Sequence, residues 1–258
     1  MRKLVAGAVL FILLVLFSIL FSAPSAVDTS MRLLPPSSDH LFGTDGYGRD
    51  LLAVTASGIK TSLIIGMSVT SVSMVLGIML SFCFSHRRFP KAPFILIADS
   101  FKSVPAIIIA LFLNAVSGPG VVKIIVALSA ANIPNIARTS YARAPVLRND
   151  GYSMASEAQG AGEGRIFLTH ILPHIAPYLL LQGVSIFSAS ILAESSLSYL
   201  GCGVPVTLPS LGRILSEARP SALTAWWMIV FPAAALLLLG LSLEMAGRGV
   251  SELYARSE

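Results

Sequence analysis

Long apolar runs separated by short polar gaps make up most of this chain, and their lengths point to its solvent. A helix rises about 1.5 Å per residue, so roughly 20 apolar residues cross a hydrocarbon layer about 30 Å thick. Six segments reach or approach that length: residues 4–21, 61–84, 93–116, 121–136, 175–200 and 225–246. The pattern predicts an all-α polytopic membrane protein with about six transmembrane helices. Pro105 lies inside the third segment and predicts a kink there. Between the fourth and fifth runs the chain turns polar and rich in glycine. The stretch MASEAQGAGEGRIFLTHILP, residues 154–173, reads as a helix, a glycine turn at Gly160 to Gly164, and a second short helix ending at Pro173. Tied at both ends to membrane helices, it would form a compact elbow.

Composition agrees with the pattern. The chain is 55 % hydrophobic and 12 % charged, against roughly 25 % charged in a soluble domain. The net charge of +5 comes from basic residues scattered through the polar gaps. They form no stripe of the kind that binds nucleic acid. With both termini inside, eleven Lys and Arg fall in inner segments and five, Arg32, Arg49, Lys60, Arg213 and Arg219, in outer ones. That excess places the termini and the elbow in the cytoplasm. The first 26 residues also have the basic start, apolar run and small residues of a cleavable signal peptide. The run is long for that, and cleavage would set loop orientation against charge, so a retained first helix is expected. The expected organisation is a first transmembrane helix over residues 1–24 and an extracytoplasmic loop with a short interfacial helix over 25–60. A five-helix transmembrane core follows over 61–258, with its cytoplasmic loop at about 142–173. No internal repeat is apparent. Cys83 and Cys202 fall near opposite membrane faces, which argues against a disulfide.

Catalytic and nucleotide-binding motifs are absent. No Gly-Lys pair occurs, so the chain holds no Walker loop, and the glycines at 160–164 have the wrong spacing for a dinucleotide fingerprint. His170 and His174 have the i, i+4 spacing of helical metal ligands, but Pro173 intervenes and no cysteine or carboxylate is close in sequence. They read as interfacial histidines at a helix start, and no metal site is expected. Ionisable residues inside spans cost about 2.5–3.5 kcal/mol each on insertion scales and point to polar paths or interfaces. Asp99 and Lys102 are spaced to pair on one helical face, either neutralising each other or serving transport. Glu194 has no such neighbour in sequence and is expected to line the path or contact another subunit.

The elbow resembles the cytoplasmic "EAA" loop of ABC-importer permeases, in which Glu-Ala-Ala is followed by Gly six residues after the Glu, and Leu-Pro twelve and thirteen after that Gly. Gly160, Leu172 and Pro173 keep the second spacing, and Tyr152 stands where Tyr is frequent. Met154, Ala155 and Ser156 replace the triplet, and Glu157 is out of register. HLFGTDGYGRDLL, residues 40–52, resembles the signature after the first span in the C-type subunit of dipeptide, oligopeptide and nickel permeases. ESSLSYLGCGVPVTLPSLGRILSEAR, residues 194–219, is similar to a second block of that subfamily, with Leu211 where Trp is usual. The closing EMAGRGVSE departs from the usual pattern at Glu244, Arg248 and Ser251.

The resemblance implies a type I ABC-importer permease in the bacterial inner membrane, itself non-catalytic. Its implied partners are a second permease, two ATPase subunits that bind ATP and Mg, an extracytoplasmic solute-binding protein and lipid. The implied solute is peptide-like, nickel or a metal chelate. Tyr152, Met154, Ala155, Ser156, Glu157, Gly160, Ala161, Leu172 and Pro173 would form the ATPase-coupling loop, and Gly43, Thr44, Asp45, Gly48, Arg49 and Asp50 the extracytoplasmic signature loop. Two rival readings use the same residues. A stand-alone ion-coupled carrier would employ Asp99, Lys102 and Glu194, though the inverted repeats that would favour it are not found. A non-transporting scaffold would leave the polar residues in the spans unexplained.

Overall fold

A computed structural model describes residues 2–22, 27–85, 100, 105–148 and 151–254. Its main helices are α1 (Arg2–Phe21), α2 (Leu51–Ser85), α3 (Ala106–Ser117), α4 (Val121–Arg148), α5 (Gly151–Ala158), α6 (Glu163–Tyr199), α7 (Leu211–Glu217) and α8 (Trp227–Tyr254). Five of them, α1, α2, α4, α6 and α8, contain stretches long and apolar enough to cross a membrane. The third expected span is described as the shorter apolar helix α3. Pro105 immediately precedes α3 as its N-cap. The rest of that span, including Asp99 and Lys102, lies outside the described residues.

The helices overrun the apolar segments. The short interfacial helix expected within 25–60 is not separate: residues 51–60 are the first turns of α2. Asp50 starts it by accepting the Leu52 N–H at 2.8 Å. The elbow's second helix likewise does not end at Pro173: α6 runs unbroken from Glu163 to Tyr199. A π-helical turn at Phe167–Ile171 lies directly before Leu172. Proline lacks an N–H and its ring collides with the turn before it; widening that turn lets the helix continue.

The core packs α2, α4 and α6 together through Ile65, Val69, Ile124, Leu128, Ile175 and Leu179. On the far side α1 runs antiparallel to α8. Lys3 pairs with Glu252 at 2.6 Å at one end, and Phe17 neighbours Phe42, which stacks on Phe231 with centroids 4.1 Å apart, at the other. Between these ends the two backbones nearly touch, because Gly7 faces Ser242 and Ala246 while Gly249 faces Leu4. Ile12, Leu13, Ile19 and Leu20 stay exposed on α1, as a lipid-facing surface requires. Turns collect at two ends. The outer end holds residues 27–50 and 200–226; the inner holds α5, the start of α6, the N-terminus of α1 and the C-terminus of α8.

A Cβ on Gly7 would lie 2.6 Å from the Ala246 nitrogen, whereas one on Gly240, also in α8, meets nothing within 4 Å. Gly7→Ala is expected to destabilise by about 1–3 kcal/mol through overpacking. Gly240→Ala should be neutral or stabilising by up to about 1 kcal/mol. Thermal unfolding of the two variants in detergent checks the contrast.

Candidate functional site

At the outer end, residues 28–50 fold into a loop held by two carboxylates and two glycines. Asp45 Oδ1 accepts the N–H groups of Tyr47 at 2.8 Å and Arg49 at 2.9 Å, while Oδ2 accepts Arg49 Nε at 2.6 Å. Arg49 Nη2 then donates to Glu217 Oε2 at 3.0 Å, and Arg213 Nε donates to Glu217 Oε1 at 2.8 Å. The first signature block is thus clamped to α7 in the second. Thr44, fully buried, donates to the Met31 carbonyl and accepts the Leu34 N–H, and its own carbonyl accepts Trp227 Nε1 at 3.2 Å from the start of α8. Asp50 caps α2 and takes His40 Nδ1 at 3.2 Å. Gly48 has φ +77°, and a Cβ there would sit 1.7 Å from the Asp28 carbonyl oxygen, so no other residue fits without rearrangement.

Asp28 caps the 3₁₀ turn Thr29–Met31. The Ser30 hydroxyl, followed by the Ser30 N–H, holds its carboxyl below the usual carboxylate range. What this cap contributes to the folded state is present above the ordinary carboxylate pKa and is lost as pH falls through the lowered folded value.

One buried carboxylate joins the outer loop to the membrane helices. Glu194 is 0 % exposed. Its Oε2 accepts the Ser62 hydroxyl from α2 at 2.8 Å, and its Oε1 accepts Ser198 at 2.7 Å within α6. Ser195 and Ser210 add further hydroxyl contacts. Ser210 is also the N-cap of α7, accepting the Arg213 N–H. Within this chain Glu194 is enclosed by hydroxyls of α2 and α6. Its partners come from distant segments, so no local spacing in the sequence marks them. Close approach is built in by Gly212, whose Cβ would lie 1.8 Å from the Ser195 carbonyl oxygen.

The inner end carries the elbow. Helix α5 stops in a Schellman arrangement: Gly160, at φ +82°, donates to the Glu157 carbonyl at 2.9 Å, and Ala161 donates to that of Ser156 at 3.0 Å. One face is anchored. Ser153 donates to the Leu147 carbonyl at 2.8 Å, Ser156 Oγ meets His170 Nε2 at 2.9 Å, and Phe82 packs on Phe167 with centroids 5.2 Å apart. Ala161 and Leu172 pack against the core, while Pro173 is exposed. The other face is open, with Met154 58 % exposed and Ala155, Glu157 and Gly160 exposed beside it. Tyr152 lies within α5. The two histidines are not set as a metal pair: His174 Nδ1 donates to the His170 carbonyl at 2.8 Å, and among the described residues no three His, Cys, Asp or Glu cluster. An alanine at position 156 could not reach His170; the serine in the departed triplet was the available signal for that contact.

Residues 73–251, from the middle of α2 to the last turn of α8, match the family described as "Binding-protein-dependent transport system inner membrane component". The chain belongs to this family. It is 36 % identical to a putative peptide transport system permease protein of Brucella suis biovar 1, over 97 % of this chain and 86 % of the relative. It is 31 % identical to the dipeptide transport system permease protein DppC of Alkalihalophilus pseudofirmus, over 94 % and 81 %. A chain of the MetNI methionine ABC transporter, solved in inward-facing conformations, shares the fold with a TM-score of 0.57. It is 21 % identical, and the match covers 76 % of this chain and 94 % of that one. The permease is thus an inner-membrane protein with the type I importer fold, of the DppC/OppC-like group.

The outer clamp gives a graded prediction. Asp45→Ala leaves the Arg49 side chain and two N–H groups without their buried acceptor and is expected to cost roughly 3 kcal/mol. Glu217→Gln, at a partly solvated position, should cost about 1 kcal/mol or less. The double variant should lose less than the sum of the two, since both act through Arg49. Unfolding midpoints of the three proteins in detergent test the order.

Proposed function

We propose that this permease is one half of the translocation path of an ABC importer for peptides, driven through the elbow at residues 151–173. The observation that carries the reading is the continuity of α6. The open face of α5 and the glycine turn sit on the inner end of a single helix of 37 residues, about 55 Å long, whose outer end holds Glu194. A partner that moves the elbow moves this helix, and coupling then requires only that the partner bind the elbow differently in its two states.

The partners in this reading are a second, different permease, two ATPase subunits that bind ATP and Mg²⁺, and an extracytoplasmic solute-binding protein. The chain itself performs no chemistry. The names of its curated relatives, which specify peptides and dipeptides, support a peptide over nickel or a metal chelate as the solute. Met154 stands where the family pattern has Glu, so the elbow meets the ATPase without that carboxylate, through apolar and backbone contacts at Met154, Ala155 and Gly160.

Gly160→Val tests the elbow. Nothing lies within 4 Å of a Cβ there, so the side chain has room, but a β-branched residue at φ +82° strains the turn. The variant is expected to insert and accumulate normally, to lose at least nine-tenths of uptake, and to retain less ATPase on detergent copurification. Asn, which tolerates this conformation, should restore part of both. Wild-type uptake in Gly160→Val would overturn the coupling role.

A further inference from the structure

Between α4 and α6 lies an open groove of about 320 Å³ in a membrane-spanning region, its surface largely apolar but carrying several polar side chains. On α4 it meets Asn132, Asn135 and Arg138, and on α6 Gln182 and Ser185. The spacings are i, i+3 and i+6 on one helix and i, i+3 on the other, so each set shares a face. Asn132 is eleven residues, about 16 Å, from the outer end of α4, and Gln182 seventeen residues, about 26 Å, from that of α6, which puts both well inside the membrane. The span containing the asparagines has a mean hydropathy of 1.3, lower than in the other four.

The hydrogen bonds give this wall a sense. Asn132 Nδ2 donates to the Leu128 carbonyl at 2.8 Å and Asn135 Nδ2 to that of Ala131 at 3.4 Å, so each amide spends one of its two N–H donors on its own helix and keeps its oxygen as an acceptor. Gln182 Oε1 is buried and accepts no hydrogen bond from any described residue. A buried acceptor left unmatched at membrane depth points to an external donor. Six residues along α4 from Asn132, about 9 Å on, stands a guanidinium, Arg138. Extended peptides of two and three residues reach about 7 and 10 Å.

We propose that this groove is a station on the path for a zwitterionic di- or tripeptide. The amide oxygens of Asn132, Asn135 and Gln182 take its ammonium and N–H groups, and Arg138 takes its carboxylate. The proposal rests on the peptide reading above and adds the site and its polarity.

The test uses the complete importer, with partner permease, ATPases and binding protein, reconstituted in liposomes and carrying labelled Ala-Ala. Gln182→Leu removes the unmatched acceptor, so its unfolding midpoint should hold or rise while uptake falls at least tenfold; a merely structural glutamine would not separate the two. Arg138→Gln should lower uptake by a similar factor, and Arg138→Lys should recover most of it. Uptake within twofold of wild type in both Gln182→Leu and Arg138→Gln overturns the proposal and leaves the peptide reading standing. A wild-type complex that binds its ATPases yet moves no peptide overturns the peptide reading, and the proposal with it. Should Gln182→Leu fail to fold, Ser185→Cys in a Cys83→Ser, Cys202→Ser background supplies the readout. Saturating Ala-Ala should slow its labelling by a hydrophilic thiol reagent at least fivefold, and unchanged labelling overturns the proposal.

Discussion

In hydrocarbon an unpaired peptide N–H or carbonyl costs several kcal/mol, and that constraint arranges the whole molecule. Among the described residues, turns are confined to the two ends of the helix bundle, where water and side chains can satisfy the backbone. The permease therefore has two built regions rather than one, an outer clamp and an inner elbow, with mainly apolar packing between them and one polar wall between α4 and α6. Even the π-helical turn at Phe167–Ile171 obeys the rule, because it absorbs Pro173 without opening the helix in the membrane. Glycines with positive φ mark these ends: Gly43 and Gly48 in the clamp, Gly201 after α6, and Gly160 in the elbow.

The two ends are tied to one helix by different chemistry. At the outer end α6 is held by a carboxylate inside a ring of hydroxyls, a short-range arrangement that fixes Ser62, Ser198 and Ser210 relative to one another. At the inner end it is held by ring packing at Phe82 and Phe167 and by the guanidinium of Arg143, 3.3 Å from the centroid of the Tyr178 ring. Directional hydrogen bonds permit little sliding, whereas a tilted ring contact and a cation over a ring face tolerate a range of positions. The mechanical asymmetry is what the proposed coupling would require of α6: a fixed outer end and an inner end that can be driven.

How much of this was legible in the sequence follows from the range of each interaction. The spans were legible because solvent acts on every residue of a run, but hydropathy reports solvent and not helix, so α2 and α6 begin about ten residues before their apolar parts. The glycine turn was legible because a Schellman cap is local. The hydroxyl ring around Glu194 was not legible because its partner Ser62 lies 132 positions away, and a lone serine in a span carries no periodic signal. The same distance problem hid the Arg49 to Glu217 clamp: each residue stood in a recognisable block, yet nothing in either block pointed to the other.

The polar wall between α4 and α6 escaped notice for a different reason, which bears on how such a path works. A search for ionisable residues in spans looks for the groups that are most costly to bury, and a conduit has cause to avoid them. A charge at membrane depth costs a few kcal/mol to insert and, once there, holds a cargo of opposite sign too tightly for passage. Neutral amides cost less, part of that cost is already offset by bonds to their own helix, and their oxygens hold a donor weakly enough to let it go. Asn132, Asn135 and Gln182 offer just such acceptors, with a single cation, Arg138, at the cytoplasmic end. In the proposed path such a wall would attract without trapping, and the net work of import would be left to the ATPase subunits of that reading.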